Sequence, residues 1–129
     1  MPHSRSLRIL IVDDDPHFLD ALEALFARAE KVEVVGRAAN GEEAVRRTAE
    51  LVPDAITMDI DMPVMDGVEA TQAIVESHHV PIVVLSASQS AERIDEALAA
   101  GAVAHVCKAS PSDDLSRTIR AAVAQGTPY

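Results

Sequence analysis

The sequence predicts an α/β protein built as a doubly wound parallel sheet. Five short apolar runs alternate with five helical patterns along 129 residues, and parallel neighbours joined in this way need a right-handed crossover. Several runs are apolar at nearly every position, as a strand covered on both faces must be; a strand with one wet face would alternate. With 48% apolar and 25% charged residues the chain has the balance of a globular protein. Its length suits a single domain around one core.

The runs are "LRILIV" at 7–12, "VEVVGRA" at 32–38, "AITM" at 55–58, "PIVVL" at 81–85 and "VAHVC" at 103–107. After the first, Phe18, Leu19, Leu22, Leu25 and Phe26 recur at helical spacing over 16–30, with Asp15 as cap and Pro16 in the first turn. Over 41–52, Ala44, Val45, Thr48 and Val52 share a face, opened by Asn40 as cap with Glu43 three positions on. Weaker helical patterns span 67–77 and 91–100, the second stopped by Gly101. The last helix, 111–125, opens on Ser110, Pro111 and Asp113 as a capping sequence and buries Leu115, Ile119, Ala122 and Val123.

Composition excludes several classes. A net charge of −10 with scattered Lys and Arg offers no basic stripe for a nucleic acid, so this chain is not expected to contact DNA directly. The lone Cys107 allows no internal disulfide and fits a reducing compartment; in its apolar run it reads as an inert core thiol. No apolar stretch nears the roughly 20 residues of a membrane span, and "MPHSRS" lacks the apolar segment of a signal peptide. A cytoplasmic protein without membrane contact is expected. The adjacent His78 and His79 do not have the spacing of ligands on a helix face.

Ligands of doubly wound sheets bind beyond the carboxyl ends of the strands. There the chain carries Asp13, Asp14 and Asp15 after the first run, Asp59 and Asp61 after the third, Ser86 and Ser88 after the fourth, and Lys108 after the fifth. One aspartate at such a junction is ordinarily a helix cap, and Asp15, before Pro16, reads as that. Asp13, Asp14 and Asp59 together are harder to explain this way, because clustered carboxylates repel unless one is protonated or a cation sits among them. Oxygen-only donors favour Mg²⁺. A carboxylate beside such an ion, facing a hydroxyl and a lysine, is a phosphoryl-transfer arrangement whose product would be an aspartyl phosphate. Taken singly, Lys108 reads as a solvated lysine and Ser86 as a hydroxyl bonded to its own backbone; the combination carries the signal.

The ordered set "VDDDP", "MDIDMPVMDG", "VLSAS" and "HVCKAS" resembles the CheY-like receiver domain of two-component response regulators, from residue 7 to about 125. The resemblance implies a flavodoxin-like (βα)5 fold with strand order 2-1-3-4-5, and one receiver domain over 1–129 with 126–129 as a tail or the start of a linker. It implies Asp59 as phosphoacceptor, followed by Met62, Pro63, Asp66 and Gly67 at the family's spacing. Asp14 would ligate Mg²⁺ (or Mn²⁺) directly, together with Asp59 and the backbone carbonyl of Asp61, and Asp13 would act through water. Ser86 would bond the phosphoryl group and Lys108 would pair with it. Ser86 and His105 would act as switch residues, His105 standing where the family commonly has Tyr or Phe. Phosphorylation would then reshape the surface of the fourth helix, fifth strand and fifth helix for an output partner or domain. Implied partners are a sensor histidine kinase or phosphotransfer protein, and a phosphorylation-dependent homodimer. Such a domain catalyses its own phosphorylation and dephosphorylation without being an enzyme in the usual sense.

Haloacid-dehalogenase-type phosphatases share an Asp-x-Asp after an apolar strand, with Ser/Thr and Lys downstream. Their further metal-binding acids follow the lysine, whereas here Asp13 and Asp14 come first and only Asp113 and Asp114, first-turn acids, follow Lys108. Chain order and length favour the receiver. A receiver fold that only binds a partner is disfavoured because every key position is filled. Lys108-Ala109 replaces the family's frequent Lys-Pro, which excludes a cis-proline at that turn. His105 introduces the prospect of a pH dependence near neutrality, against the plainer reading of a half-buried histidine on an edge strand. "VVGRAANGEEAV" and "LSRTIRAAVAQGTPY" resemble receivers of LuxR/NarL-type transcription factors, while "MDIDMPVMDG" is also seen in receivers of chemotaxis methylesterases.

Overall fold

A computed structural model describes residues 6–87, 91–108 and 113–126. Five strands and five helices alternate: β1 Leu7–Val12, α1 Pro16–Ala27, β2 Val32–Ala38, α2 Gly41–Leu51, β3 Ala55–Asp59, α3 Gly67–Val75, β4 Ile82–Ser86, α4 Ala91–Ala100, β5 Ala104–Cys107 and α5 Asp113–Gly126. The sheet is parallel throughout, in the order β2-β1-β3-β4-β5. This is the doubly wound fold that the alternating pattern predicts, in the strand order that the family resemblance implied.

The central strands β3 and β4 are buried at every position, so both of their faces must be apolar. Leu10, Val12, Ile56, Met58, Ile82 and Val84 pack toward α2, α3 and α4 in one core. Ile9, Ile11, Val83 and Leu85 pack against Leu19, Leu22, Phe26, Leu115 and Ile119 of α1 and α5 in the other. At roughly 25 cal/mol per Å² of apolar surface removed from water, these two layers dominate the favourable side of folding.

The caps follow the sequence. Asp15 accepts from His17 N–H at 2.9 Å with Pro16 in the first turn of α1. Asn40 accepts from Glu43 N–H, and the Glu43 carboxylate accepts from Ala39 N–H. Gly101 ends α4 at φ +124, a conformation that favours glycine. Ser110, Pro111 and the side chain of Asp113 lie outside the described residues.

Two expectations are corrected. Val52 does not join the buried face of α2: it is 65% exposed, because the helix stops at Leu51 and Val52 takes the left-handed cap conformation at φ 46. Cys107 is not a core thiol but half-buried, since β5 is an edge strand with all four positions only partly covered. The same edge position makes His105 half-buried, as the plainer reading had it. No helix among the described residues is long and apolar enough to cross a membrane.

Candidate functional site

Parallel register brings the strand ends together. Val12 pairs with Met58, Asp59 with Leu85, and Ser86 with Cys107, so Asp13, Asp59, Ser86 and Lys108 all emerge at one edge of the sheet. Asp13 and Asp59 are buried although acidic, at 1% and 5% exposure, and Ser86 is buried as well. Carboxylate oxygens of Asp13, Asp14 and Asp59 all lie within 4.8 Å of one another, and Asp14 is the exposed member.

Local geometry holds Asp13 and Asp59 in place. One oxygen of Asp13 accepts from Asp15 N–H at 2.9 Å, which ties the acid to the turn that starts α1. Its other oxygen, Oδ2, lies 2.7 Å from Lys108 Nζ, an ion pair by distance whose angles fall short of a directed hydrogen bond. Lys108 Nζ is also 3.8 Å from Asp59 Oδ1 and 4.4 Å from the centre of the Phe18 ring, a cation–π distance. The backbone of Lys108 donates to Ser86 O at 3.0 Å, joining the ends of β5 and β4. Asp59 Oδ1 accepts from Asp61 N–H at 3.4 Å. Gly67 opens α3 against the main chain of Asp59: a Cβ there would lie 2.2 Å from Asp59 O. Asp66 caps α3 in a reciprocal box with Glu69.

Burial pushes the Asp59 carboxyl up to about 7, and the Asp13 charge adds to the rise; Lys108 and the Asp61 N–H oppose it, and Asp14 contributes further upward. Burial pulls the Lys108 ammonium down, but its contact with Asp13 and the charges of Asp59 and Asp14 outweigh that and hold it above its ordinary value. Three carboxylates against one ammonium leave negative charge in excess. A divalent cation would offset it, and the oxygen-only donor set suits Mg²⁺ or Mn²⁺.

Other residues fall as follows. The Asp61 carboxylate lies 3.6 Å from Arg93 of α4 and its side chain is 60% exposed. His105 Nε2 is buried without a hydrogen-bond partner among the described residues. His78 Nδ1 meets only the neighbouring Ser77 hydroxyl, at 3.0 Å, among the contacts described. Ser88 lies outside the described residues. Sequence reasoning missed Phe18 as the ring beneath Lys108, having counted it as core, and missed Arg93 altogether. Only the Arg93 and Glu96 spacing of three hinted at a role, and that hint concerns α4 alone.

An acidic cluster and a lysine at the carboxyl edge of a 2-1-3-4-5 sheet define the signal-receiver class of flavodoxin-like domains. Residues 9–120 match the family of response regulator receiver domains, and the chain belongs to that family. It is 47% identical over 100 residues to protein-glutamate methylesterase/protein-glutamine glutaminase 4 of Geobacter metallireducens, covering 75% of this chain and 29% of that protein. It is 37% identical over 114 residues to the corresponding protein of Geobacillus kaustophilus, covering 87% and 32%. The chain thus spans about a third of the length of the curated relatives it matches. Among solved structures, the response regulator domain of Thermotoga maritima CheB superposes with a TM-score of 0.86 at 34% identity, covering 93% of this chain and 98% of that one. A LuxR-family response regulator from an Aurantimonas species gives 0.87 at 32% identity, covering 93% and 86%.

Proposed function

We propose that this receiver domain accepts a phosphoryl group on Asp59 in a reaction dependent on Mg²⁺ or Mn²⁺. The observation that carries the reading is the placement of Asp59: buried at the end of the central strand, within 4.8 Å of two further carboxylates, and 3.8 Å from Lys108 Nζ. An Asp59 oxygen attacks phosphorus in line; the bond from phosphorus to the donor's leaving atom breaks, and the leaving group departs with the electron pair. Asp14, Asp59, the Asp61 carbonyl and, through water, Asp13 would hold the metal, which supplies positive charge against the phosphoryl oxygens. Lys108, already drawn to the site by Asp13, neutralises one of those oxygens. Ser86 donates its hydroxyl to another.

The phosphoryl group adds roughly −1.5 to −2 of charge and three acceptor oxygens. Drawing Ser86 and Lys108 toward them moves the loops after β4 and β5. His105, on the edge strand beside α4, follows, and the α4-β5-α5 surface changes for its reader. A sensor histidine kinase or phosphotransfer protein in the cytoplasm would supply the phosphoryl group. The reader would be an output domain, an output partner or a second copy of the chain. The methylesterase relatives at 47% and 37% identity support an output of that kind over transcriptional control.

The test is incubation with a small phosphodonor and Mg²⁺, read by intact mass. Wild type should gain one phosphoryl group and Asp59→Asn none. Sustained turnover of phosphate monoesters would favour the phosphatase reading instead.

A further inference from the structure

Arg93 sits near the start of α4 and reaches across to the loop that follows β3. Its guanidinium lies 3.6 Å from Asp61 Oδ1, 3.3 Å from Asp66 Oδ2 and 2.7 Å from Glu96 Oε1. Only the last of these is the within-helix pair that spacing would produce; the other two join α4 to the β3–α3 loop. Exposed ion pairs stabilise a fold by little, and Arg93 and Asp61 are 32% and 60% exposed, so stability is a poor account of this bridge. Its position offers a better one. The main chain of Asp61 borders Asp59, donating to Oδ1 at 3.4 Å, which puts a further acid two residues from the proposed phosphoacceptor. The site is already rich in acid at Asp13, Asp14 and Asp59, and phosphodonors are anions. A further uncompensated carboxylate so near would repel them.

On the reading that Asp59 takes the phosphoryl group, we propose that Arg93 is a positioning residue for that reaction. It holds the Asp61 carboxylate aside and cancels its charge, so that anionic donors approach the site. The effect is electrostatic and scales with the donor's charge, which a merely structural role would not do.

The experiment measures the second-order rate constant of phosphorylation of the whole chain by two donors, acetyl phosphate and the less negatively charged phosphoramidate. Arg93→Gln should lower the acetyl phosphate rate about fivefold and the phosphoramidate rate about twofold, the scale of an unscreened charge near a surface site. Arg93→Lys, which keeps the charge, should stay within about twofold of wild type, and Asp61→Asn added to Arg93→Gln should restore most of the loss. Equal losses with both donors, no loss, or no restoration by Asp61→Asn would overturn the role of Arg93. A wild-type chain that takes phosphate from neither donor would overturn the function beneath it, and the inference with it.

Discussion

Lys108 lies closer to Asp13 than to Asp59: its Nζ is 2.7 Å from Asp13 Oδ2 and 3.8 Å from Asp59 Oδ1. The ammonium therefore compensates the most buried acid of the cluster and leaves Asp59, the proposed nucleophile, only partly paired. Burial, with the Asp13 charge adding to it, pushes the Asp59 carboxyl up to about 7, and Lys108 at 3.8 Å offsets only part of that rise.

A raised carboxyl makes a definite prediction for metal-free protein. The folded chain holds the Asp59 proton to about pH 7, while the unfolded chain releases it near 3.8. Stability attributable to this group is thus intact below the unfolded value, declines as pH rises between the two, and is fully lost above about 7. Asp59→Asn should be neutral below pH 4 and stabilising by about 1–3 kcal/mol at pH 8. Thermal denaturation across pH checks both the sign and the window.

Mg²⁺ should reverse that penalty. At roughly a hundredfold excess over its Kd, a ligand of the folded state alone stabilises by about 2.7 kcal/mol. Thermal melts with Mg²⁺ and with a chelator should therefore differ for wild type, and the difference should largely vanish in Asp14→Asn. An undiminished Mg²⁺ effect in Asp14→Asn would remove that residue from the ligand set.

Replacing Lys108 has two separable consequences. Lys108→Ala leaves the Asp13 carboxylate, with a fully buried side chain, without its cation, at a cost of about 3–5 kcal/mol in denaturant unfolding. It should also slow phosphorylation by about 10²-fold, because a donor aimed at developing charge is lost. Combining Lys108→Ala with Asp13→Asn should recover stability without recovering rate.

Gly67 tests how the fold aims the site. With a Cβ placed 2.2 Å from Asp59 O and 2.8 Å from Ile60 Cα, both backbone atoms, Gly67→Ala must shift the end of β3 or the start of α3. A loss of about 1–3 kcal/mol is expected, together with slower phosphorylation, since Asp59 moves with its main chain. Unfolding and phosphorylation rates measured on the same sample check both.

Much of this was legible because a parallel sheet converts sequence order into position. Asp13, Asp59, Ser86 and Lys108 each follow an apolar run, and register alone then gathers them at one edge. What escaped depends on side-chain reach or on backbone at element ends. Val52 continues the helical period of α2 but belongs to its cap, where the chain turns left-handed. Val64 adopts φ 70 in the loop after β3, bridged by Met65 N–H to Pro63 O at 2.8 Å, a conformation that a β-branched residue rarely takes and that periodicity does not encode. Phe18 has the spacing of a core residue, and only the fold shows its ring beneath Lys108. Arg93 meets Asp61 from 32 positions away in the chain, a contact that no local pattern contains.

The central claim is that Asp59, rather than another acid of the cluster, carries the phosphoryl group. Borohydride reduction converts an aspartyl phosphate to homoserine, so phosphorylated protein can be reduced, digested and sequenced by mass spectrometry. Homoserine at position 59 alone is the predicted result. Homoserine at Asp13, Asp14 or Asp61, or none anywhere after treatment with phosphodonor and Mg²⁺, would contradict it.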